Sequence, residues 1–179
     1  SVSEDRGWIR FLMRHRHTSP FEMVEFKFHV KLPIFVARQW IRHRTANVNE
    51  YSGRYSEMPD EFYLPAPEMI SPQSITNKQC RADGPVDEEI SGQVATRMQA
   101  TQTQLYDEYS EYLGKGVARE IARINLPLSA YTEWYWKIDL HNLFHFLRLR
   151  LDPTAQYEIR AYAEIMKEMV RPFVPLAYA

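Results

Sequence analysis

The chain has one cysteine, Cys80, among 179 residues. An intrachain disulfide is therefore excluded, and the composition fits a reducing compartment. Glycine is almost as scarce: there are six in all, with no GxGxxG turn and no P-loop pattern. A phosphate cradled by the backbone of a glycine-rich loop is not expected, so any nucleotide must be held by side chains. An excess of either charge is also missing. Lys and Arg number 22 against 23 Asp and Glu, a formal net charge of −1, which gives no global field to draw in nucleic acid or an anionic membrane. No apolar run reaches the ~18 residues of a membrane-spanning helix, and the first residues have no signal-peptide layout. These absences lead us to expect a cytoplasmic protein that binds neither membrane nor nucleic acid.

What is present is packing material. Hydrophobic residues make up 45% of the chain and aromatic ones 13%, which at this length predicts one domain over residues 1–179 with a substantial core. Helical spacing of Trp8, Phe11 and Leu12 predicts a helix over 4–14. Phe26, Phe28 and Val30 alternate with Glu25, Lys27 and His29 as a half-buried strand does. Pro33 suits the first turn of a helix to about residue 42, on which Ile34, Phe35, Ala37 and Ile41 pack while Arg38/Arg42 and Gln39/His43 form i,i+4 pairs. A loop then carries Asn47 to Arg54. Residues 62–64 read as extended and 65–85 as a long loop. Asp87 caps a helix to about 112, ended by Gly114 and Gly116, and a second helix covers 117–125. Residues 132–138 read as a strand, Asp139 caps a helix to about 150, and Pro153 opens the last one. Few strands, not in alternating βαβ order, predict an α+β fold with a mostly antiparallel sheet flanked by helices.

The richest chemistry lies at residues 38–56, RQWIRHRTANVNEYSGRYS. Four arginines stand there among amide, hydroxyl, imidazole and carboxylate groups, and the one glycine directly precedes Arg54. Guanidinium groups suit phosphate and carboxylate, and Gly53 permits close approach to an anion. Such a mixture predicts a pocket for a phosphorylated, ring-bearing ligand. Cys80 lies in a polar loop with Lys78 and Arg81 near it, and reads as a surface thiol rather than a catalytic thiolate. His141 and His145 stand at i,i+4, a spacing that metal pairs use, with Asp139 upstream; without an HExxH pattern or clustered cysteines, no metal is assigned. Arg148 and Arg150 are two apart on one helix, so only one of them is expected to face the pocket.

The string Arg42-His43-Arg44, seven residues, then Ser52 resembles the signature of flavin-dependent thymidylate synthases. The flanks are similar too: SPFE at residues 19–22, PIFVARQW before the signature, and ARINLPL and FLRLR later. The resemblance implies methylation of dUMP to dTMP, with methylenetetrahydrofolate as one-carbon donor, FAD as non-covalent cofactor and NADPH as reductant. It also implies a homotetramer with shared active sites, and a further strand and helix ahead of the segment where this chain starts. A non-catalytic nucleotide- or RNA-binding module is the alternative, opposed by the near-zero net charge.

By position, the resemblance makes Gln39, Arg42, Glu50, Ser52, Gly53, Arg54, Arg123 and Arg150 the dUMP set. It makes Ser19, Arg42, His43, Arg44, Glu50, Asp139, His141 and His145 the flavin set. It puts His17 on the folate side and makes Arg150 the residue that stabilises charge on the uracil ring. Ser19 and Glu22 also read as a capping box. The family often has Asn or Arg where Asp139, His141 and His145 stand, and His where Thr154 stands.

Overall fold

The structure, a computed structural model, describes residues 2–177. Helices α1 (Val2–Arg14) and α2 (Ser19–Glu22) lead into strand β1 (Glu25–Pro33), helix α3 (Ile34–Trp40) and strand β2 (Ala46–Glu50). A long connection with one 3₁₀ turn (Pro67–Met69) reaches α4 (Glu88–Gly114). Then come α5 (Arg119–Ala122), a 3₁₀ turn (Arg123–Asn125), β3 (Tyr131–Asp139), α6 (Leu140–Arg150) and α7 (Tyr157–Val170). The strands form one sheet in the order β1-β3-β2. The bonds Ile34 N to Ala130 O, Leu140 N to Val24 O and Tyr51 N to Glu133 O fix its antiparallel registers. The α+β class with an antiparallel sheet is as expected.

Backbone contacts divide the chain into two compact units, with the boundary falling inside each strand. The first comprises residues 1–28, 42–48 and 135–179; the second, 29–41 and 49–134. In the first, Phe28, Trp136, Leu143, Phe146, Ile159 and Ala163 are buried. Trp136 packs on Phe28 and Phe146 with ring centroids 6.3 and 5.1 Å apart. Burying each large side chain contributes about 1.5–3 kcal/mol, so α6 is held by the face that carries Leu143, Phe146 and Leu147. In the second, Trp40 meets Trp134 edge-on at 5.7 Å, and Met58, Tyr109 and Ala122 form a cluster beneath α4. Tyr109 Oη accepts from Met58 N at 2.9 Å, and Tyr106 Oη donates to Met58 O at 3.1 Å.

Several local expectations need correction. Residues 46–50 form a strand rather than part of a loop, because pairing with β3 overrides the poor strand propensity of Asn47 and Asn49. Helix α3 stops at Trp40 and buries Val36, Ala37 and Trp40, while Ile41 is 40% exposed. Arg42 and His43 thus lie beyond the helix. The expected helix over 117–125 is broken into α5 and a 3₁₀ turn. Pro153 does not open α7: Thr154 N donates to Asp152 Oδ1 at 2.8 Å, closing a turn, and the helix begins at Tyr157. The Ser19–Glu22 capping box is absent as well. Thr18 is the N-cap with no side-chain cap bond, and Ser19 is already helical.

The end of α1 has an unusual feature. His17 N donates to Leu12 O at 2.9 Å and Arg16 N to Met13 O at 3.2 Å, the paired bonds of a Schellman turn. That turn requires a left-handed residue, and here it is Arg16, with φ of 56°. Among the described residues no other non-glycine has a positive φ. An L-residue with a side chain pays about 1–2 kcal/mol for that conformation.

Candidate functional site

The first unit contains a cavity of about 890 Å³, built from the end of α1, Thr18 and Phe21, the 42–45 connection, and α6. Helix α6 starts where Asp139 accepts Asn142 N at 2.9 Å and Asn142 Nδ2 at 2.6 Å, a cap made by both carboxylate oxygens. It anchors Leu143, Phe146 and Leu147 in the core. Its opposite side then presents His141, His145 and Arg148 to the cavity, with Arg150 at its last turn.

Five arginines line this cavity: Arg16, Arg42, Arg44, Arg148 and Arg150. No Asp or Glu is among the lining residues described. Apolar groups from Leu12, Met13, Phe21, Phe144 and Leu149 complete the wall. Concentrated positive charge beside apolar surface suits a ligand that is anionic at one end and aromatic at the other.

At its centre Arg150 Nε donates to His43 Nε2 at 2.9 Å. His43 is half-buried, its ring edge-on to the fully buried Phe146 at 4.9 Å between centroids. Burial first, then the Arg150 guanidinium and His145, push the His43 imidazole down from 6.5 to about 4. It is neutral at physiological pH, so the proton sits on Nδ1 and Nε2 accepts. That acceptor fixes the plane of the guanidinium. Burial also lowers Arg150 from its ordinary value, although a guanidinium stays charged.

The site residues expected from the sequence divide between the units. Arg42, His43, Arg44, His141, His145 and Arg150 come together around the cavity. Ser19 and His17 are exposed and do not line it, although Thr18 between them does. The His17 ring stacks near Phe11 at 6.0 Å. Asp139 does not line it either; its carboxylate is the α6 cap. The expectation that only one of Arg148 and Arg150 faces the pocket is incorrect. Both line it, and Arg148 Nη2 lies 3.1 Å from His145 Nδ1. The cavity wraps the end of the helix, where long side chains on different sides both reach it. Among the described residues no group of three or more His, Cys, Asp or Glu could hold a metal ion.

In the second unit Ser52, Gly53, Arg54 and Arg123 gather at a turn. Tyr55 N and Ser56 N donate to Ser52 O at 3.0 and 3.1 Å. A Cβ on buried Gly53 would sit 2.7 Å from Met58 Sδ and 3.3 Å from Arg123 Nη1, so a side chain here would have to displace Met58. Arg54 pairs with Glu120 at 3.1 Å, both about half exposed. Glu50 accepts Thr132 Oγ1 at 2.8 Å, and Gln39 is half-buried on α3. Cys80 is half-buried in the long connection, its carbonyl accepting Gln73 Nε2 at 2.7 Å.

Sequence reasoning missed Arg16, Thr18, Asn142 and Arg148 as site residues. Asn142 was findable three residues after a capping Asp. Arg16 was not, because nothing in MRHRH marks a left-handed backbone.

The fold is α+β, and its cavity sets five arginines beside apolar surface with no carboxylate among the described lining residues. The family model described as thymidylate synthase complementing protein matches residues 1–176, and the chain belongs to that family. It is 60% identical over 181 residues to a flavin-dependent thymidylate synthase of Gluconobacter oxydans, covering 99% of this chain and 59% of that protein. It is 60% identical over 179 residues to one of Treponema denticola, covering 100% of this chain and 67% of that one. The chain thus spans about three fifths to two thirds of the curated relatives it matches. The crystal structure of a UMP/dUMP methylase from Streptomyces cacaoi bound with 5-Br UMP superimposes with a TM-score of 0.89 at 33% identity. That match covers 98% of this chain and 80% of the other.

Proposed function

We propose that this chain carries the active site of a flavin-dependent thymidylate synthase, methylating dUMP to dTMP. The observation that carries the reading is the cavity rich in arginine and lacking carboxylates, in which a neutral His43 holds Arg150. That donor set fits FAD: guanidinium groups for the pyrophosphate and apolar surface for the ring. Arg42, His43, Arg44, His141 and His145 would hold it, with Ser19, Glu50 and Asp139 assigned to the same ligand by family resemblance. When bound and reduced by NADPH, FAD supplies the hydride that completes the methyl group.

The chain's own part is binding and electrostatics. Arg54 and Arg123, beside Gly53, hold the dUMP phosphate; Gln39, Arg42, Glu50 and Ser52 orient the nucleotide. Uracil C5 must act as nucleophile toward the methylene carbon of methylenetetrahydrofolate, and negative charge then develops at N3 and O4. Arg150, its plane fixed by His43, stabilises that charge where it forms. His17 stands on the folate side, and four copies assemble with shared sites. The test is FAD-dependent tritium release from C5-labelled dUMP in the presence of the folate and NADPH. No release above a flavin-free control would refute the reading.

A further inference from the structure

We propose that Arg16 is an anion-binding residue of the first unit's cavity, kept in a backbone position that favours glycine because its guanidinium is used on the ligand. Two independent observations meet at this residue. Its φ of 56° at the Schellman turn is a conformation in which a side chain is a burden and glycine is the ordinary solution. Its side chain also lines the cavity with Arg42, Arg44, Arg148 and Arg150, and no Asp or Glu among the described lining residues offsets that charge. A strained residue persists where the strain serves a site. Like charges brought together around one cavity repel until an anion arrives. Arg16 therefore completes an arc of positive charge from the α1 end to the α6 end, against which a phosphate or a carboxylate is held.

The identity of the ligand rests on the proposed function; the anion site and the backbone strain do not. Two sources offer the required chemistry, the phosphates of FAD and the carboxylates of a folate tail. The experiment compares wild type, Arg16→Gly and Arg16→Asn, since Gly and Asn tolerate the left-handed backbone and neither carries charge. Calorimetric titrations use FAD against riboflavin, 5-formyltetrahydrofolate against 6-methyltetrahydropterin, which has no carboxylate, and inorganic pyrophosphate. Thermal melts accompany each. We expect at least ~10-fold weaker binding of one anionic ligand in both variants, its uncharged counterpart being unaffected. Tm should be unchanged in both, or raised by about 2–4 °C for a gain near 1 kcal/mol. Loss confined to FAD assigns the phosphates, and loss confined to the folate assigns the carboxylates. Equal affinity of all three proteins for every anionic probe overturns the proposal. So does a Tm lowered in both variants, which would mean that Arg16 is retained for structure. If wild type takes no FAD, the proposed function fails instead, and Arg16 is judged on pyrophosphate: weaker in the variants supports it, equal overturns it.

Discussion

His43 accepts Arg150 at 2.9 Å through Nε2, a direction of donation that exists only while the imidazole is neutral. The unfolded imidazole titrates near 6.5 and the folded one near 4. Between those values the unfolded state binds a proton that the fold refuses, so this contribution is complete above the upper value and is lost as pH falls toward the lower. The ring is half exposed, and screening limits the loss to roughly 1–2 kcal/mol. Denaturant titrations across that window should show this slope in wild type and a flatter one in His43→Gln, which keeps an acceptor without the titration. Identical slopes would contradict it. Arg150→Lys tests the partner. It retains charge but loses the planar fork, so single-turnover dTMP formation should fall ~100-fold, about 2.7 kcal/mol, while dUMP binding changes far less. A variant with full rate would remove Arg150 from the chemistry.

At the scale of the element, α6 is the part on which the site depends, and its start is a carboxylate cap. Asp139→Ala removes acceptors of Asn142 N and Nδ2 and should cost about 1 kcal/mol, with Asp139→Asn recovering most of it. Melts of the three proteins check this; equal Tm for Ala and wild type would mean that the helix start is held by packing alone. The same cap shows why parts of the fold were legible. Asp87 and Asp139 were readable because a cap is a local device, encoded within three residues, and the alternation around Phe28 was readable because one face of β1 is buried. Strand β2 was not, since Asn47 and Asn49 become a strand only through β3, a partner far along the chain. The start of α7 was misread because Pro153 serves the Asp152 turn instead.

At the scale of the molecule, the legibility of the site follows the same rule. The Arg42–Arg44 cluster and Arg150 were visible as residue types, but their meeting depends on a connection and a helix end separated by about a hundred residues. Arg148 was excluded by helix geometry and included by the length of its side chain. The proposed homotetramer predicts a sedimentation mass about four times the 21.3 kDa of the chain; a monomer that turns over at full rate would exclude shared sites. The placement of the indoles gives the protein an optical consequence. Of four tryptophans, Trp40, Trp134 and Trp136 are buried and Trp8 is 65% exposed. Buried indoles emit at shorter wavelength than solvated ones, so a red shift on denaturation reports loss of both units' cores. Trp136 packs on Phe146, which in turn carries His43. A yellow chromophore accepted by the cavity would therefore dim the light of Trp136, so that the protein's own emission reports occupancy.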